Sequence, residues 1–305
     1  MHKKYDVIII GGGPAGLSAG VYTSRDRLGS LLIEKGFTGG NMNNAGSIDN
    51  YPGFPQGISG AELAGLMRQQ AEKYGLEINS AEVASIETAD DKKIIKTSDG
   101  DFSAGALIIA GGSDRINLNV PGEKEFIGKG VSYCGTCDAP FFAGKKVAVV
   151  GGGNSAVYEA LHLSEFATKV YLIHRRDSLR ATTIVQEKAF AEAKIEFVLN
   201  SVVKTIEGDN VVRKISLQNK NSGDFSTLDV SGVFISIGLK PNTDYLKGIL
   251  ELDKQGHIIT DCQMKTQIAG ILAAGDIRSG SIRQVVSASG DGAVAAISAK
   301  NFLSA

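Results

Sequence analysis

Cys134 and Cys137 are separated by Gly135 and Thr136, and Asp138 comes directly after them. Two cysteines at this spacing, with small residues between them, can close a tight and reversible disulfide. The thiolate is the reactive form of cysteine, so such a dithiol needs a lowered thiol pKa or a base beside it. Asp138 stands where it can trade protons with a departing thiolate. The other chemistry of C-x-x-C is half of a zinc site, which needs two more ligands. Cys262 stands alone, and His2, His162, His174 and His257 form no ligand-spaced pair, so no metal is expected. Cys262 itself reads as a small buried or surface residue.

A dithiol that turns over must receive electrons, and two Gly-rich turns flank it. The first is Gly11-Gly12-Gly13-Pro14-Ala15-Gly16; the second is Gly151-Gly152-Gly153-Asn154-Ser155-Ala156. Each closes an apolar run (residues 5–10 and 146–150) and opens a helical pattern (15–25 and 154–166). Strand, G-x-G-x-x-G turn and helix make the dinucleotide fingerprint. Its glycines let backbone approach a pyrophosphate, which sits at the helix N-terminus. Ala156 in place of the third glycine is an accepted variant.

The strands beyond the two turns end in opposite charges. The strand at 31–33 ends at Glu34, 18 residues beyond Gly16, close to the ~20 expected for an acid that accepts ribose hydroxyls. The strand at 169–173 ends in His174-Arg175-Arg176, with Arg180 four residues on. An acid there would repel a 2′-phosphate, whereas arginines grip one bidentately. The first turn is therefore expected to take a dinucleotide with a free ribose, and the second NADPH. The bland alternatives are a tight turn beside a surface Glu and a solvated basic turn. Two dinucleotide pockets around one dithiol predict a relay: nicotinamide, flavin, disulfide, external substrate.

The elements that must position these groups fit a chain of 305 residues, long enough for two cores. Residues 61–74 read as an amphipathic helix. Residues 83–88, 93–97 and 101–102 read as a small antiparallel insert, and 106–110 as a buried strand ended by Gly111. Residues 117–121 read as a linker. Residues 202–207, 211–218 and 227–230 suggest a second insert, 233–238 a buried strand, and Lys240-Pro241-Asn242 a second linker. The tail adds a strand near 270–276 and a long helix over 283–302, too little to fold alone, so it completes the first domain. The expected fold is α/β: two Rossmann-like dinucleotide-binding domains, the second inserted into the first, each with a small antiparallel β insert. The boundaries are 1–115 with 244–305, and 116–243.

A net charge of -1 carries no basic excess for nucleic acid or an anionic membrane. No apolar run approaches the ~18–20 residues that cross a bilayer. The run at 7–10 is too short for a signal peptide and ends in a glycine turn. Three cysteines, two of them in the C-x-x-C, fit a reducing cytosol and a catalytic dithiol.

Taken in order, the GGGPAG turn, Gly39-Gly40-Asn41-Met42, Asn50-Tyr51-Pro52-Gly53, the Cys134–Asp138 motif, the second turn, the run from His174 to Arg180, and Ala273-Ala274-Gly275-Asp276 with Arg283-Gln284 beyond it span the whole chain. This set resembles the low-molecular-weight, bacterial-type thioredoxin reductases, flavoproteins among the pyridine nucleotide-disulfide oxidoreductases. The resemblance implies FAD held at its ADP part by Gly11, Gly13, Gly16 and Glu34, with Asn41 and Asn50 near the flavin. It puts Asp276 at the ribityl or pyrophosphate region, and Arg283 and Gln284 close to the ring. Pro14, Ala15, Lys35, Gly40, Val83, Gly111, Gly275 and Val285 complete the implied cofactor contacts. NADPH would be held by Gly153, Asn154, Ser155, His174, Arg175, Arg176 and Arg180. Cys137 would lie nearest the flavin, Cys134 would attack the partner disulfide, and Asp138 would be the general acid/base.

The implied substrate is thioredoxin or a thioredoxin-like protein, and the implied assembly is a cytoplasmic homodimer. Two departures stand out: Asn41 and Asn43-Asn44-Ala45-Gly46 where many relatives carry Gln and a run of Thr, and Gly111 where a Thr is common. Some relatives take electrons from ferredoxin and lack the arginine set. The remaining alternatives are a flavin dithiol oxidase and a non-catalytic flavin redox sensor. Cys137 precedes Gly151 by 14 residues, so dithiol and NADPH pocket travel on one domain while the flavin belongs to the other. A rotation about linkers near 113–118 and 241–246 is therefore expected.

Overall fold

Lys3–Ile10 forms strand β1 in the computed structural model, which describes residues 3–45, 47–89 and 92–304. His2 and Gly46 lie outside the described residues. The chain divides into two compact units, Met1–Asp114 with Lys240–Ala305, and Arg115–Leu239.

In the first unit β1 leads through the first Gly turn into α1 (Pro14–Arg25), then β2 (Ser30–Glu34). Pro14 opens α1 where a missing N–H costs nothing. Helix α2 (Gly60–Lys73) comes next, capped by the Ser59 hydroxyl on the Glu62 N–H. Strands β3 (Glu77–Ser80), β4 (Val83–Ala89), β5 (Lys92–Thr97) and β6 (Gly100–Ile109) come after it. The sheet order is β3-β2-β1-β6-β5-β4. Strands β1, β2 and β6 are parallel, and β1 pairs with β2 on one side and β6 on the other. That reversal leaves a crevice beyond the strand ends, where the first Gly turn sits.

Segments 101–102 and 106–110, expected as separate strands, are one. The strand runs through the small residues Ser103, Ala104 and Gly105, and the first two pair with Lys4 and Tyr5 of β1. The opposite edge of β6 carries β5 along its first half. So in this unit the antiparallel strands extend the main sheet. Strand β3 was not anticipated, since its half-exposed residues form no apolar run.

The chain crosses to the second unit through β7 (Ser113–Arg115) and enters β8 (Val131–Ser132). Then come α3 (Gly135–Asp138), β9 (Lys146–Val150), α4 (Asn154–Phe166), β10 (Lys169–Ile173), α5 (Thr183–Ala191) and β11 (Ile195–Val198). An antiparallel sheet of β12 (Ser201–Gly208), β13 (Val212–Asn219) and β14 (Phe225–Asp229) precedes β15 (Gly232–Ile235). The parallel sheet runs β11-β10-β9-β15-β8. Helix α5 and strand β11 were not anticipated. Helix α5 buries only Val185 and Ala189, too few for a visible stripe.

The chain returns through β16 (Leu239–Pro241), adds β17 (Ile271–Ala273) to the free half of β6, and ends in α6 (Val285–Leu303). Helix α6 begins two residues later than expected. Arg283 adopts φ +63°, and Gln284 is the N-cap.

Each parallel sheet is covered on both faces, as continuous apolar strands require. In the first unit one face packs on residues of α1, α2 and α6, such as Leu17, Leu63 and Ala295, and the other on Leu246, Leu250 and Ile258. In the second unit α4 and α5 cover one face, and Val203, Ile206, Ile215 and Leu217 of the antiparallel sheet cover the other. Each fully buried aliphatic side chain contributes roughly 1.5–3 kcal/mol, so these cores hold the strand ends rigid.

Candidate active site

Cys134 and Cys137 are joined by a disulfide, with a Cα–Cα separation of 5.3 Å. Cys134 is the N-cap of α3, and the Cys137 N–H donates to its Sγ at 3.3 Å. Both cysteines are half-buried, so a partner's sulfur has an approach. Ser132, the last residue of β8, donates its hydroxyl to Asp138 Oδ2 at 2.6 Å and accepts from the Cys134 N–H at 3.1 Å. Asp138 is thereby held beside the disulfide that its proton would serve.

Two further carboxylates frame the turn. Glu159, on α4, accepts from the Gly135 N–H. Burial pushes its carboxyl above the ordinary range and the Asp138 charge adds to this, while the Gly135 N–H, the Ser236 hydroxyl and Arg115 pull it down. Glu123 is buried and accepts from the Leu118 and Asn119 N–H groups at 2.9 and 2.6 Å. It also takes the Tyr133 hydroxyl at 2.8 Å. The Arg115 guanidinium lies 4.9 Å from the Tyr133 ring centroid. Tyr133 immediately precedes Cys134, so segment 117–121 is tied to the dithiol through one buried carboxylate.

In the first unit the Gly turn lies between β1 and α1. A Cβ on Gly16 would fall 1.8 Å from the Gly11 carbonyl, so only glycine lets α1 pack this close. Glu34, at the end of β2, accepts from the Gly12 N–H at 2.7 Å and the Gly36 N–H at 2.9 Å. Its side chain lines a cleft of about 270 Å³ with Thr38, Arg68, Ile78 and Ser80. Gly13, the N-cap of α1, has no side-chain cap, and the space a Cβ would take there is open. Open space at an uncapped helix start, with an acid across a cleft, fits the phosphates and ribose of a dinucleotide.

Of the other residues expected near the flavin, Gly111 follows the end of β6 and Gly275 comes shortly after β17. Gly39 N–H donates to the Gly12 carbonyl, and Gly40 packs on Gly13. Asn41 donates to the Ser113 carbonyl at 2.9 Å, and the Ser113 hydroxyl to the Asp276 carbonyl at 2.7 Å. Asn50 donates to Gln284 Oε1 at 3.0 Å. Asn242 donates to the Gly111 carbonyl, and Ser281 to Asp276 Oδ1. Gly275 packs against Ala15, and its N–H reaches Asp291, which also pairs with Arg278 at 2.6 Å. Lys35 is exposed beside Glu34, and Val83 is half-buried at the start of β4. Val285 opens α6 directly after Gln284.

The second Gly turn links β9 to α4. Gly153 is an uncapped N-cap with open space beside it. His174, at the end of β10, is 5% exposed, and a Cβ on Gly152 would lie 2.3 Å from its ring. Its ring bonds the Gly151 backbone, while Nε2 is buried with no partner. Burial holds the imidazole below its ordinary value, and Arg180, Arg176 and Arg175 add to this. Arg175, Arg176 and Arg180 are exposed, and none has an ion pair among the described residues. The segment from Arg175 to Arg180 is irregular, not helical. It is held because the Arg180 N–H donates to the Gly152 carbonyl and Asn154 Oδ1 accepts from the Thr182 N–H. Ser155 is exposed at the helix start. An unpartnered buried imidazole nitrogen, three free-facing guanidinium groups and an open helix start fit a phosphorylated dinucleotide.

The structure thus places expected residues in three regions: the dithiol with Asp138, the first Gly turn with Glu34, and the second Gly turn with His174 and the exposed arginines. Ser132, Ser113, Glu123, Asn242, Asp291 and Glu159 were missed. Only Glu159 left a trace in the sequence. It is a charge on the apolar stripe of α4, between the buried Ala156 and Leu163.

The family model described as pyridine nucleotide-disulphide oxidoreductase matches residues 5–292. The thioredoxin reductase of Bacillus subtilis (strain 168) is 44% identical over 302 residues, covering 99% of this chain and 95% of that protein. The crystal structure of thioredoxin reductase from Streptococcus pyogenes MGAS5005 matches with a TM-score of 0.95 at 43% identity, covering 100% of this chain and 99% of that one. A thioredoxin reductase from Giardia duodenalis matches with a TM-score of 0.95 at 36% identity, covering 100% of both chains.

Proposed function

Because the chain belongs to the pyridine nucleotide-disulphide oxidoreductase family, we propose that it is a thioredoxin reductase: an NADPH-dependent flavoenzyme that reduces the disulfide of thioredoxin or a thioredoxin-like protein. The observation that carries this reading is the closed Cys134–Cys137 disulfide in the same unit as the arginine-flanked turn.

FAD belongs to the first unit, with Gly11, Gly13, Pro14, Ala15, Gly16, Glu34, Lys35 and Val83 around its ADP half. Gly40, Asn41, Asn50, Gly111, Gly275, Asp276, Arg283, Gln284 and Val285 line the remainder. When bound, it supplies the two-electron relay between nicotinamide and disulfide. NADPH is gripped by Arg175, Arg176 and Arg180, with Gly153, Asn154 and Ser155 at the helix start and His174 beneath them.

The chain's own residues then perform disulfide exchange. Overall, NADPH and one proton convert a disulfide into two thiols and NADP⁺. In the dithiol state the Cys134 thiolate attacks one sulfur of the partner disulfide, forming a mixed disulfide and releasing the other sulfur as thiolate. Cys137 attacks the Cys134 sulfur, which frees the partner's second thiol and restores the Cys134–Cys137 bond. Asp138, oriented by Ser132, takes and returns the proton.

Dithiol and arginine pocket ride on one unit and the Glu34 pocket on the other, so one flavin must serve both in turn. A rotation about segments 113–118 and 241–246 supplies that alternation. A verified crosslink between the units should stop turnover and spare one half-reaction; full turnover in the locked protein refutes the rotation. The protein works as a cytoplasmic homodimer on this reading, and a monomeric mass in solution refutes that assembly. No helix among the described residues is long and apolar enough to cross a membrane.

The deciding experiment is steady-state NADPH oxidation with thioredoxin and a disulfide reporter, run in parallel with and without oxygen. Consumption should require thioredoxin and both Cys134 and Cys137. Reduction only by ferredoxin, or oxygen uptake that ignores thioredoxin, would replace this reading with another activity. No turnover with any donor would leave a redox sensor.

A further inference from the structure

Glu159 has no part in the exchange chemistry, yet it touches the dithiol turn directly. Its oxygen lies 2.5 Å from the Gly135 nitrogen, across 24 positions of sequence. A Cβ on Gly135 would sit 2.5 Å from Glu159 Cγ and 2.9 Å from Oε1. The carboxylate arm therefore fills the space a side chain between the cysteines would take. The Ser236 hydroxyl donates to the same carboxylate, and the charged groups that face it are Asp138 and Arg115.

Two N–H groups of this turn lie close to Cys134. The Cys137 N–H serves the Cys134 sulfur. The Gly135 N–H, next in the chain after Cys134, is taken by Glu159. Once the S–S bond is broken, two electrons from NADPH and two protons must be accommodated here, and one sulfur must carry negative charge to attack. An ionised Glu159 opposes that charge, and a protonated one does not. Burial raises its carboxyl pKa, whereas the Gly135 N–H, the Ser236 hydroxyl and Arg115 favour the charged form that the role requires.

We propose that Glu159 is a positioning residue of the dithiol: its carboxylate holds the Gly135 N–H and sets how readily Cys134 carries a thiolate. This rests on the reading of Cys134–Cys137 as a working redox pair. Asp138 remains the proton carrier, while Glu159 acts through the turn and through its charge.

The test uses the full-length holoenzyme reduced anaerobically with dithiothreitol. Alkylation of Cys134 by iodoacetamide is tracked by mass spectrometry across pH, and the dithiol–disulfide equilibrium is measured against dithiothreitol. Glu159→Gln keeps the shape and the acceptor but removes the charge. It should move the alkylation profile to lower pH and favour the dithiol by about tenfold, equivalent to ~30 mV. Glu159→Asp should restore most of the original profile. Ser236→Ala, which removes a donor from the carboxylate, should move it in the same direction as Glu159→Gln, by less.

Superimposable profiles for the unsubstituted protein and Glu159→Gln, or a shift to higher pH, would overturn the proposal. If Glu159→Gln is not recovered folded, Ser236→Ala decides: no shift refutes the role. A failure of the broader reading looks different, since the unsubstituted protein would then form no reversible Cys134–Cys137 disulfide at all.

Discussion

The two Gly turns use one backbone plan for opposite electrostatic ends. Both close a buried parallel strand, both start an uncapped helix, and both sit where the strand order reverses. Beyond the turn they part. In the first, Glu34 is drawn in, with both oxygens held by backbone N–H groups. In the second, a buried His174 stands under the turn and three exposed arginines surround it. On the proposed reading the scaffold positions a dinucleotide, and the few residues after the next strand decide which one.

The largest test of that contrast is Arg175→Ala with Arg176→Ala. Each charge-assisted hydrogen bond is worth about 1.5–3 kcal/mol, so losing one from each arginine should lower kcat/KM for NADPH roughly 10²–10⁴-fold. The value for NADH should barely move, and steady-state kinetics with both donors reads the ratio. An equal loss for both would show that the arginines only face water.

Glu34→Ala should act on the other pocket alone. Losing an acid that accepts ribose hydroxyls should weaken FAD retention by about 10–100-fold. Absorbance of the yellow protein after dialysis measures it, and NADPH affinity should be unchanged.

The third position of each turn gives a smaller, structural contrast. Gly16→Ala places a methyl 1.8 Å from the Gly11 carbonyl and should cost about 1–3 kcal/mol. Ala156 already carries that methyl, fully buried, so Ala156→Gly should cost only about 1 kcal/mol. Denaturant unfolding compares the two.

The smallest effect concerns pH. His174 is held below its ordinary value of 6.5 by burial and by Arg180, Arg176 and Arg175. Just below pH 6.5 the unfolded chain therefore binds more protons than the folded one. The contribution of neutral His174 to stability is present above that window and declines as pH falls through it. His174→Asn should flatten this part of the stability profile, and unfolding midpoints across pH 5–7.5 check it.

Much of this was legible because it is local. The unit β9–α4–β10 occupies the bounds its apolar runs predict, 146–150, 154–166 and 169–173. Period-two and period-3.6 patterns act within a dozen residues, so they survive in one dimension. Strand β6 was split because Ser103, Ala104 and Gly105 carry little apolar signal, although the strand runs through them and β1 pairs with the first two. The start of α6 was misplaced because Arg283 takes a left-handed conformation that its residue type does not announce.

The site obeyed the same rule. Cys134, Cys137, Asp138, Glu34 and the arginines are marked by short spacings. Ser132, Glu123 and Glu159 are common residue types whose meaning lies in what they touch.

Taken alone, the order of residues determined the kind of chemistry: a dithiol, two dinucleotide turns and an acid set against a basic strand end. Folding decided the rest. It chose which backbone N–H each carboxylate holds, put Glu159 where a Gly135 side chain would be, and left His174 Nε2 buried with no partner. The reason is physical. Motif spacing is written within one turn or strand, whereas a hydrogen bond across 24 positions exists only after the core of the second unit has fixed the elements that carry its ends.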